Sequence, residues 1–175
     1  ICRCQNKRKY GKNNSKKEGS KVMNPWMKEA CNLAKEGMKK AEGGPFGAVI
    51  LDPEGNIIGK GNNQVLSQKD PTAHAEIVAI RQACEKRNTY DLKGCTIYTS
   101  CQPCPMCLAA IIWANIQQVY YGCTKEEAGE IGFRDDQIYD FIKEKKMDLL
   151  RFEQIDHEEC QKLMEEYVKN GGVIY

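Results

Sequence analysis

The sequence predicts an α/β protein in which a central mixed sheet of five strands is covered by helices on both faces, as a three-layer α/β/α sandwich. Helical and strand patterns alternate along the chain after an initial hairpin, which is typical of this class. The strand segments are nearly continuous apolar runs, and such runs indicate a sheet that is buried on both faces. The length of 175 residues fits one domain with a substantial core.

The first part of the chain encodes a helix followed by a hairpin. Asn24 is a suitable N-cap, and Pro25 suits the first helical position. Apolar residues then recur at helical spacing until Gly43-Gly44-Pro45, which ends the helix. Apolar strands over 46–52 and 57–61 flank a Pro-Glu-Gly-Asn turn and form the hairpin.

The rest of the chain alternates between helices and strands. Asp70-Pro71-Thr72 begins a helix whose apolar residues lie on one face. After this helix the pattern predicts a strand over 95–100, a helix over 104–114, a strand over 119–123, a helix over about 125–144, a strand over 149–155 and a helix over 157–169. The strands of this part complete the five-stranded sheet.

The charge distribution divides the chain into a basic tail and a mildly acidic body. Residues 1–22 contain eight Lys or Arg residues and one Glu, which gives +7. Because the whole chain carries +2, residues 23–175 carry −5. The tail is polar and is predicted to be a disordered basic tail or extension, so the domain spans 23–175. Nucleic-acid binding requires a basic face, and the body is therefore not expected to bind nucleic acid.

The cysteines and the hydropathy predict a cytoplasmic protein. The ten cysteines are scattered through periodic segments, and a chain with a good core does not need disulfides. The first residues lack the apolar stretch of a signal peptide. No apolar run approaches the roughly 18 residues of a membrane-spanning helix, so no membrane association is expected.

A motif divided between two segments contains the candidate metal ligands and the candidate acid/base residue. His74 and Glu76 stand at the start of one predicted helix, and Cys104 and Cys107 stand at the start of another. One His and two Cys supply three ligands for one Zn²⁺ per chain and leave a fourth position open, as in catalytic zinc sites. Glu76 lies beside the ligand His and can act as a general acid/base. This combination is the signature of zinc-dependent nucleobase deaminases.

Less specific interpretations of these residues remain open at this point. A lone Cys-x-x-Cys pair also occurs in redox motifs and in structural zinc sites, where Cys101 would be the candidate fourth ligand. A structural zinc module would make Glu76 dispensable, as an exposed carboxylate at a helix start. In the catalytic interpretation, zinc lowers the pKa of water from about 15.7 toward ~7, and Glu76 moves the protons.

From about Pro25 to its C-terminus the chain resembles the cytidine deaminase superfamily, and more narrowly the bacterial guanine deaminases of that fold. The segment Asp70 to Glu76 is shared with tRNA adenosine deaminases and does not decide the substrate. The more specific segments are Gly43 to Ile50, Tyr98 to Cys101, Pro103 to Leu108, Gly132-Phe133 with Asp135, and the aromatic end at Tyr175.

The resemblance implies a homodimer that hydrolyses guanine to xanthine and ammonia. It assigns zinc binding to His74, Cys104 and Cys107, proton transfer to Glu76, and a second catalytic carboxylate near the leaving amine to Asp135. It assigns substrate binding to Phe46, which would stack on the purine, to Asn63, which would hydrogen-bond it, and to Ala75 and Tyr175. The C-terminal segment, which ends in Tyr175, would be exchanged between subunits and would cover the pocket of the partner subunit.

Four of these assignments have a structural alternative. Phe46 opens a buried strand and could be a core residue, and Asn63 could serve a turn. Asp135, next to Asp136, could be a solvated helix carboxylate, and Tyr175, as the last residue, could be frayed. Gln102 departs from the Glu expected in this family, which removes a negative charge near the zinc. The alternatives for the reaction are a tRNA adenosine deaminase and a deaminase of another nucleobase or nucleoside.

Overall fold

The computed structural model describes residues 23–133, 135–144, 150 and 153–173. Within these ranges the helices are α1 (Pro25–Lys39), α2 (Val65–Gln68), α3 (Ala75–Arg87), α4 (Pro105–Trp113), α5 (Lys125–Glu130), α6 (Asp135–Glu144) and α7 (His157–Lys169). The strands are β1 (Gly47–Leu51), β2 (Ile57–Asn62), β3 (Thr96–Cys101) and β4 (Gln118–Cys123). No helix in these ranges is long and apolar enough to cross a membrane.

The four described strands form one mixed sheet in the order β2-β1-β3-β4. β1 is antiparallel to both β2 and β3, whereas β3 and β4 are parallel. Parallel neighbours need a crossover connection, and α4 provides it. The mixed sheet was predicted, but the described residues contain four strands instead of five. Of the predicted strand over 149–155, residues 149, 151 and 152 lie outside the described residues, and 153–155 are not in a strand.

Helices cover both faces of the central strand β1, as the apolar strands predicted, whereas the edge strand β4 is mostly exposed. Ala48 and Ile50 of β1 join a buried cluster with α3 and α4 on one face. Val49 and Leu51 pack with Ala30 of α1 on the other face. On the first face, a Cβ at Gly61 of β2 would overlap the carbonyl oxygen of Ala75. This glycine therefore lets the first turn of α3 lie directly against the sheet.

The segment after β4 differs from the predicted single helix over 125–144. It consists of α5 and α6, separated by Ile131-Gly132-Phe133, because Gly132 has a φ of 99° that a helix cannot contain. The helix expected from Asp70 begins at Ala75, because Asp70 instead holds a turn through its Oδ1, which accepts from the Thr72 N–H at 2.8 Å. The short helix α2 was not predicted.

Candidate active site

Two helix starts bring the three predicted metal ligands together. His74 is the N-cap of α3 and Cys104 is the N-cap of α4, and both have extended backbone angles. Neither side chain caps its own helix, so both are available to the site between the helices. Cys107 lies in the first turn of α4, on the same side as Cys104. The two helix N-termini add partial positive charge, which favours thiolates.

The distances among the three side chains fit a tetrahedral zinc. The Sγ atoms of Cys104 and Cys107 each lie 3.6 Å from Nδ1 of His74, and all three donor atoms lie within 4.8 Å of one another. Zinc with ordinary Zn–S and Zn–N bond lengths separates its tetrahedral S and N ligands by about 3.5 Å. The donor set of one imidazole and two thiols is also one that zinc prefers.

The pKa shift of Cys104 favours the binding of a cation among His74, Cys104 and Cys107. Hydrogen bonds from Cys107 and from His74 lower the pKa of Cys104 to about 4. The pKa of Cys107 is raised, because its thiol donates the hydrogen bond to Cys104 and is buried. The hydrogen bond with Cys104 likewise raises the pKa of His74. Zinc binding displaces protons from its thiol ligands, and the lowered pKa of Cys104 favours that displacement.

Glu76 lies inside the site and outside the donor set. Its side chain is 6% exposed, which contradicts the alternative of a solvated helix-start carboxylate. Its Oε2 lies 3.4 Å from the Sγ of Cys107, and its Oε1 lies 3.2 Å from the Oγ1 of Thr99 in β3. Burial raises the pKa of Glu76 above its ordinary value, which is the direction that favours a general acid/base.

Cys101 is a poor fourth ligand for a closed structural site. It is buried and stands apart from the metal cluster found among the described residues. Its thiol donates to the carbonyl oxygen of Thr124 at 3.5 Å. Burial raises the pKa of Cys101 to about 11, so that its thiolate is disfavoured. Among the described residues, this geometry favours three candidate protein ligands, which would leave one position of a tetrahedral zinc open.

The cluster opens into a cavity of about 450 Å³. The cavity is lined on the metal side by His74, Glu76, Cys101, Gln102 and Cys104, and elsewhere by Gly43, Gly44, Phe46, Asn63, Val65, Leu66, Pro71, Phe133 and Asp135. Its walls are mostly apolar, with a few polar groups close to the predicted metal, which is the usual composition of a small-molecule site.

Two aromatic rings meet in this cavity. Phe46 and Phe133 lie edge to face, with ring centroids 4.7 Å apart and an interplanar angle of 79°. A Cβ at Gly44 would come within 2.9 Å of both rings, so the glycine makes room for this pair. Phe46 is half-buried and lines the cavity, in addition to packing against the core. Sequence reasoning gave Phe133 no role, although its Gly-Phe pair marks the break between α5 and α6.

Asn63 presents a defined end of its amide to the cavity. The residue is 4% exposed, and its Oδ1 accepts hydrogen bonds from the backbone N–H groups of Gly44 at 3.2 Å and Val65 at 3.3 Å. A Cβ at Gly43 would overlap this Oδ1, and the observed position of the Asn63 side chain therefore requires glycine at position 43. Because the oxygen is held by the backbone, Nδ2 is the group left to donate to a ligand.

The remaining predicted residues are only partly brought to the site. Ala75 is fully buried as the first residue of α3, and Asp135 lines the cavity at the start of α6. Gln102 lines it too, and its Oε1 accepts from the Lys125 backbone N–H at 3.4 Å. Tyr175 lies outside the described residues. Tyr139 of α6, which the sequence did not single out, donates to the Pro103 carbonyl at 2.9 Å and fastens α6 beside the metal cluster.

Comparison with known proteins assigns the family. Residues 20–123 match the model of the cytidine and deoxycytidylate deaminase zinc-binding region, which covers more than half of the chain. The chain belongs to this family. It is therefore a zinc-dependent hydrolase that acts on a cyclic amidine C–N bond, and the predicted zinc cofactor and fold class are confirmed.

Comparison with individual relatives shows which members of the family this chain resembles. The chain is 51% identical over 114 residues to a guanine deaminase of Bacillus subtilis (strain 168), covering 65% of this chain and 72% of the relative. It is 34% identical over 145 residues to a tRNA-specific adenosine deaminase of Aquifex aeolicus, covering 82% and 92% of the two chains. The crystal structure of a guanine deaminase from Bacillus subtilis matches with a TM-score of 0.78 at 43% identity, covering 84% of this chain and 95% of that chain. The resemblance to bacterial guanine deaminases is confirmed.

Proposed function

We propose that this chain hydrolyses guanine to xanthine and ammonia. The observation that carries the proposal is that the metal cluster and the buried Glu76 open into one cavity with two aromatic rings and one oriented amide. A flat purine ring suits apolar, aromatic walls, and its polar edge suits a few fixed hydrogen-bonding groups. The 51% identity to a guanine deaminase supports guanine as the purine.

Glu76 carries the proton transfers in this proposal. Bound zinc supplies Lewis acidity, which makes water a nucleophile at neutral pH. Glu76 accepts a proton from the attacking water and delivers it to a ring nitrogen next to the amino-bearing carbon. It then passes the second water proton to the amine. The C–N bond breaks, ammonia leaves, and the water oxygen remains on the ring as the new carbonyl.

The other cavity residues hold the base. Phe46 and Phe133 contact its apolar surface and exclude water, which strengthens the electrostatic interactions in the site. The Nδ2 of Asn63 donates to a ring nitrogen or carbonyl oxygen. The backbone N–H of Ala75 belongs to the first turn of α3 and has no acceptor within the helix, so it can donate as well. Asp135 accepts a hydrogen bond from the departing amine.

A panel of aminated rings tests the substrate. We expect guanine to release ammonia, and a tRNA anticodon stem to be inert, because the body of the protein carries −5 and phosphate binding needs basic groups. The protein without residues 1–22 should be assayed for ammonia with guanine, guanosine, adenine, cytosine and cytidine, and for inosine with the tRNA stem. Deamination of the tRNA without any turnover of guanine would favour a tRNA adenosine deaminase instead.

We also infer that the chain forms a homodimer that exchanges its C-terminal segment. On one side of α7, Leu163, Met164 and Val168 are 61%, 67% and 68% exposed. A single chain gains nothing by exposing such an apolar helix face, which indicates a surface that packs in an assembly. On α4, Ile112 and Trp113 are also more than 60% exposed and offer an apolar surface of the kind that such a helix covers.

Removing residues 173–175 tests this arrangement. α7 ends at Lys169, and the chain then turns at Gly171 with a φ of 71°, so the truncation should leave the fold and the bound zinc intact. We expect guanine turnover to fall and KM to rise, because Tyr175 would no longer cover the base. Mixing the truncated chain with a Glu76→Gln chain should restore activity if subunits exchange, since one supplies the chemistry and the other the cover.

Wild-type kcat and KM in the truncated protein would contradict a covering role for the segment. A mixture that restores nothing would instead indicate a cover from the same chain. Light scattering of the full-length protein should give the mass of a dimer, and a monomeric mass would rule out the exchange.

A further inference from the structure

Thr99 is a buried polar residue that the proposed reaction does not yet use. It lies in β3, is 1% exposed, and shares a sheet face with Ile97 and Cys101, toward α3 and α4. Its Oγ1 lies 3.2 Å from Oε1 of Glu76 and 3.0 Å from the carbonyl oxygen of Cys101. Thr99 therefore joins the acid/base residue to the strand that leads directly into the Pro103 to Cys107 ligand segment.

The hydroxyl of Thr99 lies close to two acceptors, Oε1 of Glu76 and the carbonyl oxygen of Cys101. A threonine hydroxyl has one proton to donate and can also accept, whereas the Cys101 carbonyl can only accept. When Glu76 is ionised, the hydroxyl can donate to Oε1. When Oε2 carries the transferred proton, Oε1 is still an acceptor, and the hydroxyl can continue to donate to it. The hydroxyl of Thr99 can therefore hold Oε1 in both states that the proposed reaction visits.

The two oxygens of Glu76 consequently have different surroundings. Oε1 is held by Thr99 against the sheet, and Oε2 faces the metal cluster, 3.4 Å from the Sγ of Cys107. A carboxyl group that transfers protons between water and substrate must stay within hydrogen-bonding distance of both. Without a hold on Oε1, rotation about the last side-chain torsion of Glu76 would let Oε2 leave that position.

We propose that Thr99 is a positioning residue, whose hydroxyl holds Oε1 of Glu76 so that Oε2 stays directed at the reacting atoms throughout the proton transfers. This inference rests on the proposed function, because it assumes that Glu76 transfers protons. Thr99 itself is neither one of the candidate metal ligands nor one of the residues that line the cavity.

Three variants separate positioning from a merely structural role. Thr99→Val removes the hydroxyl at nearly constant volume, and Thr99→Ser retains it. Ser100→Ala is the matched control, because the Ser100 hydroxyl belongs to the same strand but points to the opposite face, where it accepts from the Gly47 N–H at 3.0 Å. Loss of the Ser100 hydrogen bond should lower thermal stability without changing turnover.

We expect Thr99→Val to lower kcat about 10-fold with nearly unchanged KM and zinc content, since a buried hydrogen bond to the acid/base group is lost. Thr99→Ser should keep kcat within about twofold of wild type, because it restores the same hydrogen bond. A crystal structure of Thr99→Val should show the Glu76 carboxyl group turned away from its wild-type position.

The proposal is overturned if Thr99→Val keeps wild-type kcat, or if Thr99→Ser loses as much as Thr99→Val. An error in the proposed substrate can be distinguished from an error in the role of Thr99, because the variants can be assayed with whichever ring the wild-type protein hydrolyses. If wild type hydrolyses none of the rings tested, the crystal structure decides: an unmoved Glu76 carboxyl group in Thr99→Val overturns the positioning role, and a displaced one supports it.

Discussion

Replacing Glu76 with Gln should lower guanine turnover by about 10²–10⁴-fold while zinc stays bound, since this is the usual contribution of positioned acid–base catalysis. Gln is nearly isosteric with Glu and can still hydrogen-bond to Thr99, so the fold and the three ligands should be undisturbed. An amide cannot take a proton from water at neutral pH or return one to the amine, and both transfers should fail. Steady-state kinetics and metal analysis of the same preparation check the result.

Glu85→Gln is a suitable control for this variant. Glu85 lies on the same helix as Glu76 but is exposed and does not line the cavity. It should retain wild-type kcat and KM, which would exclude a general effect of losing one acidic group from α3. Nearly wild-type turnover in Glu76→Gln would remove Glu76 from the mechanism. Loss of zinc from Glu76→Gln would show instead that the carboxyl group supports metal binding.

The regular elements could be predicted where local signals and packing agree. The first helix begins at Pro25, as its Asn24 cap indicated, and α7 spans the predicted residues 157–169. The break between α5 and α6 was missed, because apolar residues continue at helical spacing across Gly132. A glycine inside a helix costs only about 1 kcal/mol, so the sequence alone did not demand a break there. Tertiary packing of Phe133 against Phe46 accompanies the break.

The metal cluster was predictable because its spacing carries the chemistry. Histidine and cysteine are common zinc ligands, and the sequence pattern predicted that His74, Cys104 and Cys107 lie at the starts of two helices. Thr99 and Phe133 were not predictable in the same way. Alternation along β3 puts Thr99 on the same face as Cys101, but the sequence does not reveal that Glu76 of α3 packs against that face. Contacts between distant segments, which decide these roles, leave no local signature.

Substitution of either cysteine ligand should abolish activity altogether. Cys104→Ala or Cys107→Ala leaves His74 and one thiolate, and two protein ligands hold zinc far more weakly than three. Zinc content should fall to a small fraction per chain, and guanine turnover should fall to background. Thermal stability should fall as well, because a bound metal stabilises the folded state that presents its ligands.

Cys101→Ala is the matched control for these variants, because Cys101 is buried in the adjoining strand but donates to the Thr124 carbonyl. An alanine there removes a similar volume from the same region without removing a ligand, so it should lower stability modestly and retain one zinc per chain. The comparison separates the two models of the metal site. With three ligands and an open position, the losses at Cys104 and Cys107 far exceed the loss at Cys101. With a closed four-ligand site, Cys101→Ala empties the site as thoroughly as the other two, and the position that water needs would not exist.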